Sequence, residues 1–184
     1  MRQSILFFDI DGTLLSDKTG KIPDSALEAL AEAKKNGHLL FINTGRTVCA
    51  LPKELYQFEF DGYLCGCGSY LLFHEEVLLE SHIEEACGQK YIEQMRECGL
   101  DGVLEGTEDL YFPKKVSRFE KLEQGRHYFG QLGLGKKKHI EEGGFLYDKI
   151  FVYADEQSEK ERFFRLMEDA FAVIDRGENT YELT

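Results

Sequence analysis

Residues Ser4-Ile-Leu-Phe-Phe-Asp-Ile10 form an apolar run interrupted only by Asp9 and closed by Asp11-Gly12. A run of that length ending in a turn pair predicts a strand buried on both faces, as in a parallel sheet. A helical pattern follows. Asp24 is placed to cap it, Leu27, Leu30 and Ala31 form its apolar side, and Gly37 supplies a left-handed stop. His38-Leu-Leu-Phe-Ile-Asn43 reads as a second apolar strand, Thr47 as the opening of a second helix to about Gln57, and Gly62–Cys67 as a third, shorter strand. Tyr70–Phe73 and Val77–Glu80, split by His74-Glu-Glu76, read as a hairpin. The β-α-β-α-β order predicts an α/β fold with a doubly wound parallel sheet and right-handed crossovers.

The texture changes after about Ser81. Ile83–Cys98 predicts a helix with Tyr91, Ile92 and Met95 on one side. Short strands are expected at Gly102–Glu105 and Leu110–Pro113, and a charged helix from about Arg118 to Gln131. Gly133–Gly144 is loop-like, and Tyr147–Tyr153 is the best strand of this half. Ser158 with Glu161 has the form of a capping box for a helix over Glu159–Phe171, before short strands at 172–175 and 180–183. Two domains are therefore expected, residues 1–81 in parallel α/β form and residues 82–184 in α+β form.

The chain has 184 residues and a net charge of −12, spread over both halves. That charge argues against general binding to nucleic acid or anionic membranes, because nothing offsets the phosphate repulsion. No run of 18 apolar residues suggests a membrane helix. Five cysteines, an odd number with no secretory leader in MRQSILFFDI, suggest reduced thiols in a cytoplasm. Cys65-Gly-Cys67 has no second pair at zinc-finger spacing.

Chemistry concentrates at Asp9-Ile10-Asp11-Gly12-Thr13, where the first strand ends. Ligands of open α/β sheets bind outside the carboxyl ends of the strands. Strand alternation turns Asp9 and Asp11 to one mouth and Ile10 away from it. Gly12 leaves a bare backbone that a phosphate can approach. Two carboxylates this close repel unless a divalent cation joins them, and Mg²⁺ prefers such hard oxygens. Asp9 and Asp11 are thus the candidate metal residues. An EF-hand does not fit, because its glycine belongs at loop position 6 and its glutamate at 12. Asn43-Thr44-Gly45-Arg46 closes the neighbouring strand, where a hydroxyl followed by glycine and a helix start suits a phosphate oxygen.

On these residues the chain resembles the haloacid dehalogenase (HAD) superfamily, and closely its Cof-like sugar-phosphate phosphatases. The first motif lies at Asp9–Thr13 and the second at Thr44-Gly45-Arg46, and Gly62–Phe73 is similar to the family's third-strand segment. Residues from about 82 to 184 fit its large α/β cap in length and position. The resemblance implies a partial HAD-like (Rossmannoid) parallel sheet with a hairpin, plus an α+β cap. It also implies a Mg²⁺-dependent phosphatase for small phosphorylated metabolites. Asp9 would be the nucleophile, and Asp11 the acid and base. Mg²⁺ would sit on the Asp9 carboxylate and the Asp11 main-chain carbonyl. Gly12, Thr44 and Gly45 would hold the phosphoryl group, with Arg46 on the substrate or the cap.

The family's later lysine motif and Gly-Asp-x-x-Asp-like motif have no counterpart after the cap-like segment. The expectation is a chain truncated after the cap, weak in Mg²⁺ binding and slow in turnover by itself. The alternative is a catalytically impaired fragment or a phosphate- or protein-binding remnant, and a phosphotransferase shares the first half-reaction. With about three parallel strands, an open edge on the third and a face lacking helices, self-association through the exposed core sheet is also expected.

Overall fold

The computed structural model describes residues 2–184, and the chain packs as two units, Met1–Ser81 and His82–Thr184. The first unit is built on five strands: β1 (Ile5–Phe8), β2 (Leu39–Asn43), β3 (Gly62–Cys65), β4 (Tyr70–Phe73) and β5 (Glu76–Glu80). They lie in the order β1-β2-β3-β4-β5. β1, β2 and β3 are parallel neighbours, and β4 and β5 extend the sheet as an antiparallel hairpin. The fold is therefore the α/β class read from the sequence.

Helix α1 (Asp24–Lys35) returns the chain from β1 to β2. Its Leu30, with Ala26 and Leu27, packs against Ile10, Leu40 and Ile42. Pro23 takes the N-cap position expected for Asp24, which sits inside the first turn with its charge near the helix N-terminus. Gly37, at φ +83°, ends the helix as expected, since a left-handed backbone there carries no Cβ penalty. The buried Asp61 carboxylate accepts the Leu40 N–H at 2.8 Å and tethers the segment before β3 to β2.

Three expectations need correction. The helix expected over Thr47–Gln57 is instead a pair of 3₁₀ turns, Val48–Ala50 and Lys53–Gln57. Pro52 has no N–H to offer and holds Leu51 in an extended conformation (φ −64°, ψ 131°), so no helix can pass. β1 is not buried on both faces: Ile5 and Phe7 are 53% and 54% exposed. Finally, the open edge expected on the third strand is occupied by the hairpin, and the edges of this sheet are β1 and β5.

The second unit is an antiparallel sheet with three helices. Its strands are β6 (Asp101–Glu105), β7 (Leu110–Tyr111), β8 (Lys149–Tyr153), β9 (Val173–Gly177) and β10 (Thr180–Leu183). They lie in the order β7-β6-β8-β10-β9. The helices are α2 (Glu85–Glu97), α3 (Glu120–Gln131) and α4 (Lys160–Met167). Period-2 alternation divides each strand between two faces. Leu104, Ile150, Val152, Tyr181 and Leu183 join Ile92 and Met95 of α2 and Phe163 and Met167 of α4 in one core. The capping box expected at Ser158 and Glu161 does not form. The Ser158 hydroxyl instead has its one proton shared between Gly99 O and Asp155 Oδ1, at 2.9 and 3.0 Å, in a cluster closed by Arg118.

Glu105 of β6 lies directly opposite Lys149 of β8, and Glu182 comes from β10, opposite Phe151. The Lys149 ammonium lies 3.1 Å from Glu105 and donates to Glu182, which also takes Arg176. Burial alone raises the Glu182 carboxyl, but Lys149 and Arg176 outweigh it and hold it below the usual glutamate range. Such a group stabilises fully above its unfolded value, near about 4.3, and loses that contribution as pH falls through its folded value.

Two outcomes follow from these cores. Phe163→Ala, at a fully buried ring, is expected to lower stability by about 3–5 kcal/mol in urea unfolding. Glu182→Gln leaves buried Lys149 with Glu105 and takes the carboxylate from half-exposed Arg176, and is expected to cost about 1–3 kcal/mol at pH 7. Urea curves at several pH values should show its difference from the parent chain steady between pH 7 and 5 and shrinking below pH 4.

Candidate active site

The parallel register pairs Phe8 with Ile42, so Asp9 and Asn43 leave the sheet side by side. Ile10 is fully buried while Asp9 and Asp11 are exposed, as alternation requires. A tight loop then forms. Thr13 N–H and Leu15 N–H both donate to Ile10 O, at 3.3 and 2.9 Å, and Leu14 N–H donates to Asp9 O. Gly12 lies at φ +75°, where a side chain would be strained. The Thr13 hydroxyl donates to Asp9 Oδ2 at 3.4 Å, a long bond that steadies the carboxylate.

The second motif folds against the first. Thr44 is buried, its N–H donates to Leu64 O of β3, and its hydroxyl accepts the Arg46 N–H at 3.2 Å. Arg46 Nε and Nη2 each donate to one Asp11 carboxylate oxygen at 2.8 Å, and Nη1 donates to Ala50 O at 3.1 Å. This fork-to-carboxylate pair fixes orientation as well as distance. Asp11 and Arg46, 35 residues apart in sequence, thereby join the two loops. Arg46 is expected to meet a substrate or cap, yet its guanidinium is committed to Asp11 and the Ala50 carbonyl. Gly45 is half-buried between Thr44 and Arg46.

A third loop, after β3, closes on the second. Gly66 N–H donates to Arg46 O at 2.8 Å and Cys67 N–H to Thr44 O at 3.4 Å. The sequence reading gives no site role to Thr13, Ala50, Gly66 or Cys67, although Thr13 closes the first motif and Cys67 belongs to the Cys65-Gly-Cys67 pair. The signal for Gly66 and Cys67 was the Gly66-Cys67-Gly68 run, in which all three residues take positive φ. None of the five cysteines forms a disulfide, and burial pushes the Cys65 thiol up to about 12, where it stays protonated.

The donor set suits a hard cation in kind, for Asp9 offers a carboxylate and the first loop offers main-chain carbonyls. Both Asp11 carboxylate oxygens are held by Arg46, which leaves its main-chain carbonyl as its metal donor. Among the described residues no three His, Cys, Asp or Glu side chains gather around one point, and no helix is long and apolar enough to cross a membrane.

Comparison with known proteins bears on this arrangement. The haloacid dehalogenase-like hydrolase profile matches residues 6–184. The chain is 28% identical over 97 residues to YkrA of Bacillus subtilis (strain 168), named a candidate phosphatase, covering 53% of this chain and 37% of that protein. It is 36% identical over 107 residues to YbhA of Escherichia coli (strain K12), named a pyridoxal phosphate phosphatase, covering 56% and 39%. The matched stretch thus spans about two-fifths of these curated relatives. Among solved structures, the HAD subclass IIB sugar phosphatase BT4131 superposes with a TM-score of 0.75 at 22% identity, over 100% of this chain and 70% of that one. BT1666 from Bacteroides thetaiotaomicron gives 0.75 at 21%, over 100% and 67%. At these identities the likeness is one of fold.

Thr44→Val keeps the side-chain volume but removes the acceptor of the Arg46 N–H. It is expected to lower stability by about 1–2 kcal/mol, read by urea unfolding at pH 7.

Proposed function

Because the chain belongs to the haloacid dehalogenase-like hydrolases, we propose that its first unit hydrolyses small phosphate monoesters through an aspartyl-phosphate. The observation that carries the reading is the convergence of the Asp9 loop and the Thr44 loop, locked by the Asp11–Arg46 pair. Asp9 attacks phosphorus: an Asp9 Oδ–P bond forms as the bond from phosphorus to the leaving oxygen breaks. Asp11 donates a proton to that oxygen, then takes one from the water that cleaves the aspartyl-phosphate and releases inorganic phosphate. For this work one Asp11 oxygen must let go of Arg46, while the other keeps the carboxyl aimed. The Thr44 hydroxyl and the backbone at Gly12 and Gly45 hold the phosphoryl oxygens.

The Asp9 carboxylate and the Asp11 carbonyl are the residues that would hold Mg²⁺. When bound, that ion supplies charge to offset the repulsion between nucleophile and phosphate. The second unit is read as the substrate-selecting cap, and the class as sugar phosphates and similar small metabolites of the Cof-like type. The name of the YbhA relative adds pyridoxal phosphate to the candidates. The exposed Ile5 and Phe7 on edge strand β1 favour self-association, which sedimentation over a concentration series would detect.

A second reading is favoured by the same ion pair. With both Asp11 oxygens bound to Arg46, the loops bind phosphate without completing the acid–base step. The two readings part in one experiment. Phosphate release is measured with Mg²⁺ from p-nitrophenyl phosphate, glucose 6-phosphate and pyridoxal 5′-phosphate, for the parent chain and Asp9→Asn. Hydrolysis through Asp9 is expected to fall at least about 10³-fold in Asp9→Asn, roughly 4 kcal/mol in the barrier, and to disappear on chelation with EDTA. Phosphate binding by calorimetry without turnover in the parent chain supports the second reading. Turnover indifferent to Asp9→Asn removes Asp9 as nucleophile.

A further inference from the structure

The second unit contains a cavity of about 180 Å³ between the sheet and α3. Its walls are Phe112, Phe129, Phe151 and the ring of Tyr153, with Glu105 and Gly125 of α3 in the lining. Closed apolar cavities of about 150 Å³ accept a benzene ring; this one is partly open to solvent, with Phe129, Phe151 and Tyr153 half-buried, and has room for a single ring.

Three features make it more than a packing gap. The first is Gly125, in the interior of α3, where glycine costs about 1 kcal/mol against alanine. Close packing does not require glycine there, since an added Cβ would meet only the Tyr153 hydroxyl, at 3.8 Å. The bare backbone leaves room that a side chain would fill. The second is the Tyr153 hydroxyl. Burial, with the Glu105 charge beside it, pushes it up to about 12, so it remains a phenol that donates. Among the described residues no protein group takes that hydrogen bond, although the ring is fixed against Phe119 and Phe151. The third is Glu105, whose carboxylate, set by Lys149 at 3.1 Å, puts an acceptor and a negative charge in the lining. The site thus presents flat apolar walls, a donor and an acceptor.

We propose that this cavity is a binding site for one uncharged six-membered aromatic ring carrying a hydroxyl, which accepts from Tyr153. Aromatic rings pair well with the Phe and Tyr faces in offset or edge arrangements. The Glu105 carboxylate disfavours an anionic ring. The inference stands apart from the hydrolysis reading, because binding needs neither Asp9 nor turnover.

The test is a titration of the ¹⁵N-labelled 184-residue chain with phenol, toluene and benzoate, followed through amide resonances. Phenol is expected to shift Gly125, Val103 and Phe151 saturably, with a dissociation constant in the millimolar range or below. Toluene should bind at least about tenfold more weakly, and benzoate should leave these amides still. Tyr153→Phe should weaken phenol about tenfold and leave toluene unchanged. Gly125→Leu fills the space while improving the helix, so a folded spectrum without phenol shifts is expected. The same phenol shifts in Asp9→Asn separate this site from the hydrolysis. No saturable shift at these amides overturns the proposal. So does toluene or benzoate binding as tightly as phenol, or undiminished phenol binding in Gly125→Leu.

Discussion

The parallel pairing of β1 with β2 is the constraint on which the first unit depends. Two parallel strands must end on the same side of a sheet, so the loops that follow them face one mouth. The Phe8–Ile42 register then decides which residues meet there: Asp9 and Asp11 from one loop, Thr44 and Arg46 from the other. A slip of one residue would turn Ile10 outward and both carboxylates into the core. Burial of Ile10, Leu40 and Ile42 under α1 makes that slip costly. Packing on one side of the sheet thereby sets the chemistry at its end.

The Asp11–Arg46 pair adds a second level of order. It is part-exposed, and an isolated pair of that kind contributes little to stability. Its bidentate geometry matters for direction, because it fixes a carboxyl that would otherwise rotate freely at a loop tip. The Ala50 carbonyl extends the hold into the 3₁₀ turn, and the Gly66 N–H extends it to the loop after β3. Three strand ends are thus tied together by hydrogen bonds among short loops.

The second unit uses the two faces of its sheet differently. One face, under α2 and α4, is a continuous apolar core. The other combines the Lys149 network with an aromatic-walled cavity below α3. Adjacent residues on β8 show the contrast: Ile150 and Val152 are fully buried in the core, and Lys149, Phe151 and Tyr153 point the other way. Antiparallel pairing of β6 with β8 places Glu105 opposite Lys149, so two charges far apart in the chain neutralise one another.

The sequence by itself determined those elements whose type follows from local periodicity: the apolar runs at Ser4–Ile10 and His38–Asn43, the helix ended by Gly37, and the Asp9–Thr13 motif at a strand end. It also singled out the residues that the structure brings to one mouth, since strand alternation is a local property. Tertiary structure decided the rest. Pro52 was visible in the sequence, but only the backbone it imposes shows that the expected second helix is two short turns. Ser158 had the local form of a cap, yet distant partners at Gly99 and Arg118 claimed its hydroxyl. The exposure of Ile5 and Phe7 depends on which strand lies at the sheet edge. The grip of Arg46 on Asp11 and the cavity facing Gly125 depend on groups that meet only when the chain folds. Periodicity is written in neighbours along the chain, whereas a hydrogen-bond partner or an unfilled space is settled by the competition among all groups that folding brings within reach.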